Sequence, residues 1–136
     1  MAGFRIAVLP GDGIGVEVVA PTLALLRAAC LRTGAVLALE EDPAGAACYR
    51  ATGAALPAAT MAACHSADAI LLGAMGDPAM RYPGGTEIAP QLDLRTELGL
   101  YAVARHPRPA DAGGTAGGRA PLPVRCRRHS EYSRRA

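Results

Sequence analysis

The sequence predicts an α/β fold, a parallel-sheet core with helices on both faces, on three observations. Short apolar runs alternate with segments of helical period. Those runs are continuously apolar rather than alternating, as strands covered on both faces are. The first run stops at Pro10 and passes through Gly11, Gly13 and Gly15 directly into a helical pattern. A strand-to-helix turn of that kind is where α/β proteins place ligands, because free N–H groups at a helix start attract anions.

The elements follow in order. Phe4 to Leu9 reads as a buried strand. From about Gly15 to Arg32, the apolar positions Val19, Leu23, Leu26 and Cys30 recur at spacings of three and four, giving a helix with one buried face. Pro21 is tolerated only near a first turn, so the helix is expected to start late or bend there. Gly34 is its stop. Ala35 to Leu39 forms a second strand, and Glu40-Glu41-Asp42 reads as its solvated end. Ala44 to Thr52 is a short helix ended by Gly53, and Pro57 opens another that runs to about Ser66. Asp68 to Gly76 is an apolar strand ending in glycines. Asp77 to Pro90 is a loop, Gln91 to Leu98 a helix with Leu94 and Leu98 on one side, and Leu100 to Ala104 a further strand.

Composition removes several classes. The 136 residues make one domain or part of one. All fourteen basic residues are arginine, so no P-loop lysine, Schiff-base lysine or lysine acid/base is available. A net charge of +2 is too small to argue for nucleic acid or a membrane surface. Cys30, Cys48, Cys64 and Cys126 lack zinc-ligand spacing and read as small buried residues plus one stray. No run is expected to reach the ~20 apolar residues of a membrane span, and the chain reads as cytoplasmic. The glycine turn is not the dinucleotide fingerprint: its third glycine falls one residue early, and Val16 stands where that glycine belongs. From these residues alone the turn is either an anion cradle or a bend.

Four stretches, taken in order, resemble the start of the β-decarboxylating dehydrogenases, the isocitrate, isopropylmalate and tartrate dehydrogenase family. They are Leu9 to Glu17 (LPGDGIGVE), Asp68 to Gly76 (DAILLGAMG), Tyr82 to Arg95 (YPGGTEIAPQLDLR) and Leu100 to Arg105 (LYAVAR). The resemblance covers residues 4 to about 109 and implies part of an isopropylmalate-dehydrogenase-like fold, incomplete in this chain. Residues 1–109 are assigned to that domain. Residues 110–136, rich in arginine and poor in apolar residues, are expected to be a disordered or frameshifted tail.

The resemblance implies oxidative decarboxylation of a 2-hydroxy acid of the 3-isopropylmalate, isocitrate or tartrate/malate type. NAD or NADP takes the hydride, Mg²⁺ or Mn²⁺ assists, and the family is homodimeric. It places Arg95 and Arg105 on the substrate's carboxylates, with Gln91 beside them. It places Ile14, Asp77, Thr86 and Glu87 beside the cofactor. Arginine suits the first role, because its fork binds a carboxylate bidentately and keeps its charge. Glu87 reads equally well as a cap for the next helix.

The sequence also departs from the family pattern. Val16 replaces a usual proline, and His106 follows Arg105 where proline is usual. The family's catalytic tyrosine and lysine and its metal-binding aspartates belong to sequence that does not match here. No role passes to Tyr132, and the chain alone is expected to be inactive. Two other readings stay open: a non-catalytic carboxylate-binding or regulatory subunit, and an unrelated nucleotide-binding α/β module.

Overall fold

The computed structural model describes residues 3–100. Seven elements follow in order: β1 (Phe4–Leu9), α1 (Ile14–Thr33), β2 (Leu37–Glu41), α2 (Ala46–Thr52), α3 (Ala58–Ser66), β3 (Ala69–Leu72) and α4 (Pro90–Glu97). The three strands form one parallel sheet in the order β2-β1-β3. The chain therefore leaves β1 on one side for β2 and returns to the other side for β3. Contacts divide it into two units, Met1–Leu94 and Arg95–Ala136. The family-like domain boundary expected at 109/110, the strand residues 101–104 and Arg105 lie outside the described residues.

In the first unit the central strand organises the core. Ala7, Val8 and Leu9 are all buried. Successive side chains of a strand point to opposite faces. Val8 packs with Val19 and Leu23 of α1, joined by Ile6, Leu39 and Leu71 from the three strands. The pairing register sets Ile6 against Leu39 and Val8 against Leu71, so these side chains share one face. Ala7 and Leu9 point the other way, where α3 approaches β1. The buried face expected of α1 is thus found, with Val19 and Leu23 enclosed and Leu26 and Cys30 half-buried.

Three differences from the sequence reading have physical causes. First, α1 starts at Ile14 and continues through Pro21. Residue 21 has no N–H to give the carbonyl one turn back, yet the flanking helix persists because its inner face is pinned to the sheet. It ends at Gly34, which takes the left-handed conformation and donates to the Cys30 carbonyl. Second, β2 lies two residues later than expected, because pairing fixes it: Leu37 sits opposite Phe4 and Glu41 opposite Val8. Glu40 is therefore in the strand, where it meets Arg5 at 3.1 Å. Third, full burial in the sheet is confined to Ala7–Leu9 of β1 among the described residues; Phe4, Ala38, Glu40, Ala69 and Leu72 are exposed.

Contrary to the expectation from the sequence, one helix among the described residues is long and apolar enough to cross a membrane, the twenty-residue α1. Its packing onto β1 accounts for that composition on one side. Ile14, Val18, Leu25 and Leu31 are exposed on it.

The Asp77 to Pro90 segment is an ordered loop with a small core of its own. Ile88 is enclosed with Ala46 and Ala55, and Tyr49, Met80 and Tyr82 pack against them. Tyr82 donates its N–H to the Thr86 carbonyl, and Gly85 donates back to Tyr82, closing a tight turn. In the second unit the chain turns at Gly99, with Leu100 N–H on the Arg95 carbonyl at 2.9 Å.

Candidate functional site

The glycine turn is closed by backbone. Asp12 N–H donates to the Ala74 carbonyl at 2.8 Å. A Cβ on Gly11 would overlap the Ala74 carbonyl, and one on Gly15 would overlap the carbonyls of both Pro10 and Ala74. These glycines are small because the exits of β1 and β3 touch. That contact brings the two exits together where the strand order reverses, the place an open parallel sheet usually offers a ligand. Gly15 N–H is bonded to the Asp12 carbonyl and Val16 N–H to that of Gly13. Two amides of the helix start are thus engaged within the turn, and Glu17 adds a negative charge to the first turn. The arrangement favours the bend over the anion cradle.

Asp12 is the organising residue of this corner. Its Oδ2 accepts Ala46 N–H at 2.7 Å and Gly76 N–H at 2.9 Å, and its Oδ1 accepts Ala47 N–H at 2.8 Å. Burial acts to raise its carboxyl pKa. The N–H groups of Ala47, Gly76 and Ala46, helped by Arg50, outweigh burial and hold it below the usual value. The carboxylate therefore caps the start of α2 from outside, where Gly45 offers no side-chain cap. A Cβ on Gly45 would collide with that carboxylate. Local sequence pattern does not single out Asp12. The only local signal was an acid set between glycines.

The expected cofactor-side residues lie along two segments that Asp12 joins. Ile14 is two residues beyond Asp12 and 65% exposed. Asp77 directly follows Gly76 and is already engaged: it accepts Ala79 N–H at 2.9 Å and meets Arg50 at 3.3 Å. Thr86 and Glu87 are exposed in the tight turn, and Glu87 faces Arg81 at 3.8 Å. That contact gives Glu87 a partner across the loop. Gln91 is half-buried on α4, its Oε1 enclosed without a hydrogen-bond partner among the described residues. Arg95 is exposed on the same helix.

Two clefts flank the β1 exit. One of about 330 Å³ is lined by Pro10, Gly11, Val16, Asp42, Ala47 and Cys48. The other, about 230 Å³, lies between α1 and the end of β3, against Ile14, Val18, Leu72 and Ala74. Asp42 Oδ2 is enclosed without a hydrogen-bond partner among the described residues. Cys48 and Cys64 are buried, as the sequence implied, and burial together with Asp42 pushes the Cys64 thiol up. Among the described residues, no three His, Cys, Asp or Glu side chains gather to hold a metal. The described residues thus do not fit a metal site.

A family model described as isocitrate/isopropylmalate dehydrogenase matches residues 5–114. The chain belongs to the isocitrate/isopropylmalate dehydrogenase family. It is 50% identical over 109 residues to the 3-isopropylmalate dehydrogenase of Synechococcus sp. (strain CC9902), covering 77% of this chain and 30% of that protein. It is 44% identical over 105 residues to that of Moorella thermoacetica, covering 75% and 29%.

Among solved structures it is similar to a β-decarboxylating dehydrogenase from Thermococcus kodakarensis in its apo form. The TM-score is 0.60 at 34% identity, over 73% of this chain and 28% of that one. An isocitrate dehydrogenase from Methylococcus capsulatus gives a TM-score of 0.60 at 28% identity, over 73% and 27%. The three-stranded parallel sheet with its helices is thus part of the fold of this dehydrogenase family. The chain spans about 30% of the length of the curated relatives it matches.

Proposed function

We propose that this chain carries the first part of an NAD- or NADP-dependent, divalent-metal-dependent dehydrogenase that oxidatively decarboxylates a 2-hydroxy acid. The substrate is of the 3-isopropylmalate, isocitrate or tartrate/malate type. The observation that carries this reading is the family match over residues 5–114, which takes in Ile14, Asp77, Thr86, Glu87, Gln91, Arg95 and Arg105.

The roles follow from residue chemistry. Arg95 and Arg105 bind the substrate's carboxylates as planar cations that stay charged at any working pH. Together they orient a dianion and offset charge as carbon dioxide departs. Gln91, one turn before Arg95 on α4, supplies a side-chain amide beside the substrate. Ile14, Thr86 and Glu87 supply exposed surface for the nicotinamide cofactor, which accepts a hydride when bound. Asp77 shapes their loop through Arg50 and Ala79.

No lysine exists in the chain and no metal cluster forms among the described residues. The chain alone is therefore expected to bind without turning over and to need the remainder of such an enzyme for catalysis; its family resemblance supports action in the cytoplasm. The partners proposed are a small hydroxy acid and, by family, a second copy.

The test assays the purified chain with isopropylmalate, isocitrate, malate and tartrate, each with NAD or NADP and Mg²⁺. Clear turnover contradicts the proposed inactivity. Calorimetric binding of a dicarboxylate that is lost in Arg95→Ala supports the carboxylate role, and binding unaltered by that change removes it.

A further inference from the structure

The loop between β3 and α4 has internal hydrogen bonds but does not stand on them alone. It is seated on α2, and two consecutive residues of α2 reach it. The Tyr49 ring lies edge-on to Tyr82, with centroids 5.1 Å apart and planes at 81°. Arg50 Nη2 lies 3.3 Å from Asp77 Oδ2, at the opposite end of the loop's first half. Beneath them Ile88, at 1% exposure, is enclosed by Ala46 and Ala55. The seat is itself anchored, since the Asp12 carboxylate holds both the start of α2 and the loop's root at Gly76.

We propose that Tyr49 and Arg50 are positioning residues that, through Tyr82 and Asp77, set the conformation in which the loop presents Thr86 and Glu87. The role of that loop at a cofactor rests on the function proposed above; the seating does not. The two contacts are unequal. An ion pair with its arginine side chain 65% exposed contributes little, whereas an edge-to-face aromatic pair adds to its own burial. Tyr49 therefore carries most of the effect and Arg50 sets the position of Asp77.

Amide hydrogen exchange of the full chain, without ligand, tests this. The reporters are the N–H groups of Met80, Tyr82 and Gly85, bonded to Asp77, Thr86 and Tyr82. Tyr49→Leu keeps apolar bulk and removes the ring; it should speed their exchange about 3- to 10-fold. Arg50→Gln should do so about 2-fold. Exchange in β1 and α1 should not change in either variant.

Tyr49→Phe should match the parent, because the edge-to-face contact needs no hydroxyl. Arg50→Lys, which keeps the positive charge beside Asp77, should stay closer to the parent rate than Arg50→Gln. Unchanged loop exchange in Tyr49→Leu and Arg50→Gln overturns the proposal. So does an equal rise across β1 and α1, or a Tyr49→Phe variant as exposed as Tyr49→Leu. Intact loop protection with no dicarboxylate or nucleotide binding would instead count against the proposed function and leave the seating in place.

Discussion

The Oδ2 of Asp12 accepts the backbone N–H of Gly76 at 2.9 Å, although 64 residues separate them. The same oxygen takes Ala46 N–H. One carboxylate thus ties together the exit of β1, the start of α2 and the root of the loop. A buried acid with three N–H donors is stable only while all are satisfied, since removing the acceptor strands each donor. Asp12→Ala is therefore expected to cost about 3 kcal/mol or more, and Asp12→Asn less because one amide oxygen remains. Urea unfolding followed by circular dichroism measures both. A loss under about 0.5 kcal/mol in Asp12→Ala would show that the corner is held by something else.

The protonation of Asp12 gives a pH dependence of known sign. Its folded pKa is held below the unfolded value, because backbone N–H groups and Arg50 outweigh burial. Its stabilising contribution is therefore complete above the ordinary carboxylate pKa of about 4. It is lost as the pH falls through the folded value. Unfolding midpoints from pH 7 down to pH 2 should fall more steeply in the parent than in Asp12→Asn. Parallel profiles for the two proteins would dismiss Asp12 as a source of acid sensitivity.

The glycines of the turn separate into two kinds. A Cβ at Gly15 meets the carbonyls of Pro10 and Ala74, while one at Gly13 meets nothing within 4 Å and suffers only from a φ of 49°. Gly15→Ala should cost about 3 kcal/mol through forced separation of the β1 and β3 exits. Gly13→Ala should cost less, about 1–2 kcal/mol of backbone strain. Thermal unfolding of the two variants compares them directly, and an equal cost would refute the close approach as the reason for Gly15.

How much of this was legible in the sequence depends on the range of the forces involved. β1, the inner face of α1, and the stops at Gly34 and Gly53 follow from local pattern and backbone preference, and the structure has them. The start of β2 was misplaced because pairing with Phe4 to Val8, over thirty residues away, sets it. Asp12 carries no comparable local signal, because its donors are 34 to 64 residues distant. The seat of the loop was hidden for the same reason: nothing in Tyr49-Arg50 announces Tyr82 and Asp77. Gln91 and Arg95 were singled out through family resemblance rather than periodicity, since one helix turn with a glutamine and an arginine is ordinary surface.

The loop's own core gives a further prediction. Ile88 is enclosed with Ala46 and Ala55, both too small to fill a vacancy by moving. Ile88→Ala should cost about 2–4 kcal/mol, while Ile88→Val, one methylene smaller, should cost about 1 kcal/mol. Chemical denaturation resolves the two. If Ile88→Ala is neutral, the segment before α4 is a surface excursion and not a packed part of the domain.

α1 poses the sharpest contrast, because its composition fits two environments. A helix kept apolar to pack on a sheet should be sensitive only along its inner face. Leu23, 3% exposed, packs with Val8 and Val19, whereas Leu31 is 88% exposed. Leu23→Ala is expected to cost about 2–4 kcal/mol by leaving a cavity beside β1. Leu31→Ala should change stability by less than about 0.5 kcal/mol. A membrane span predicts the reverse ordering of environments: charge on the outer face would be costly in lipid. Leu31→Arg in detergent-free buffer therefore decides the matter. A chain that stays folded and dissolved places α1 on the sheet, and one that is recovered only with lipid or detergent does not.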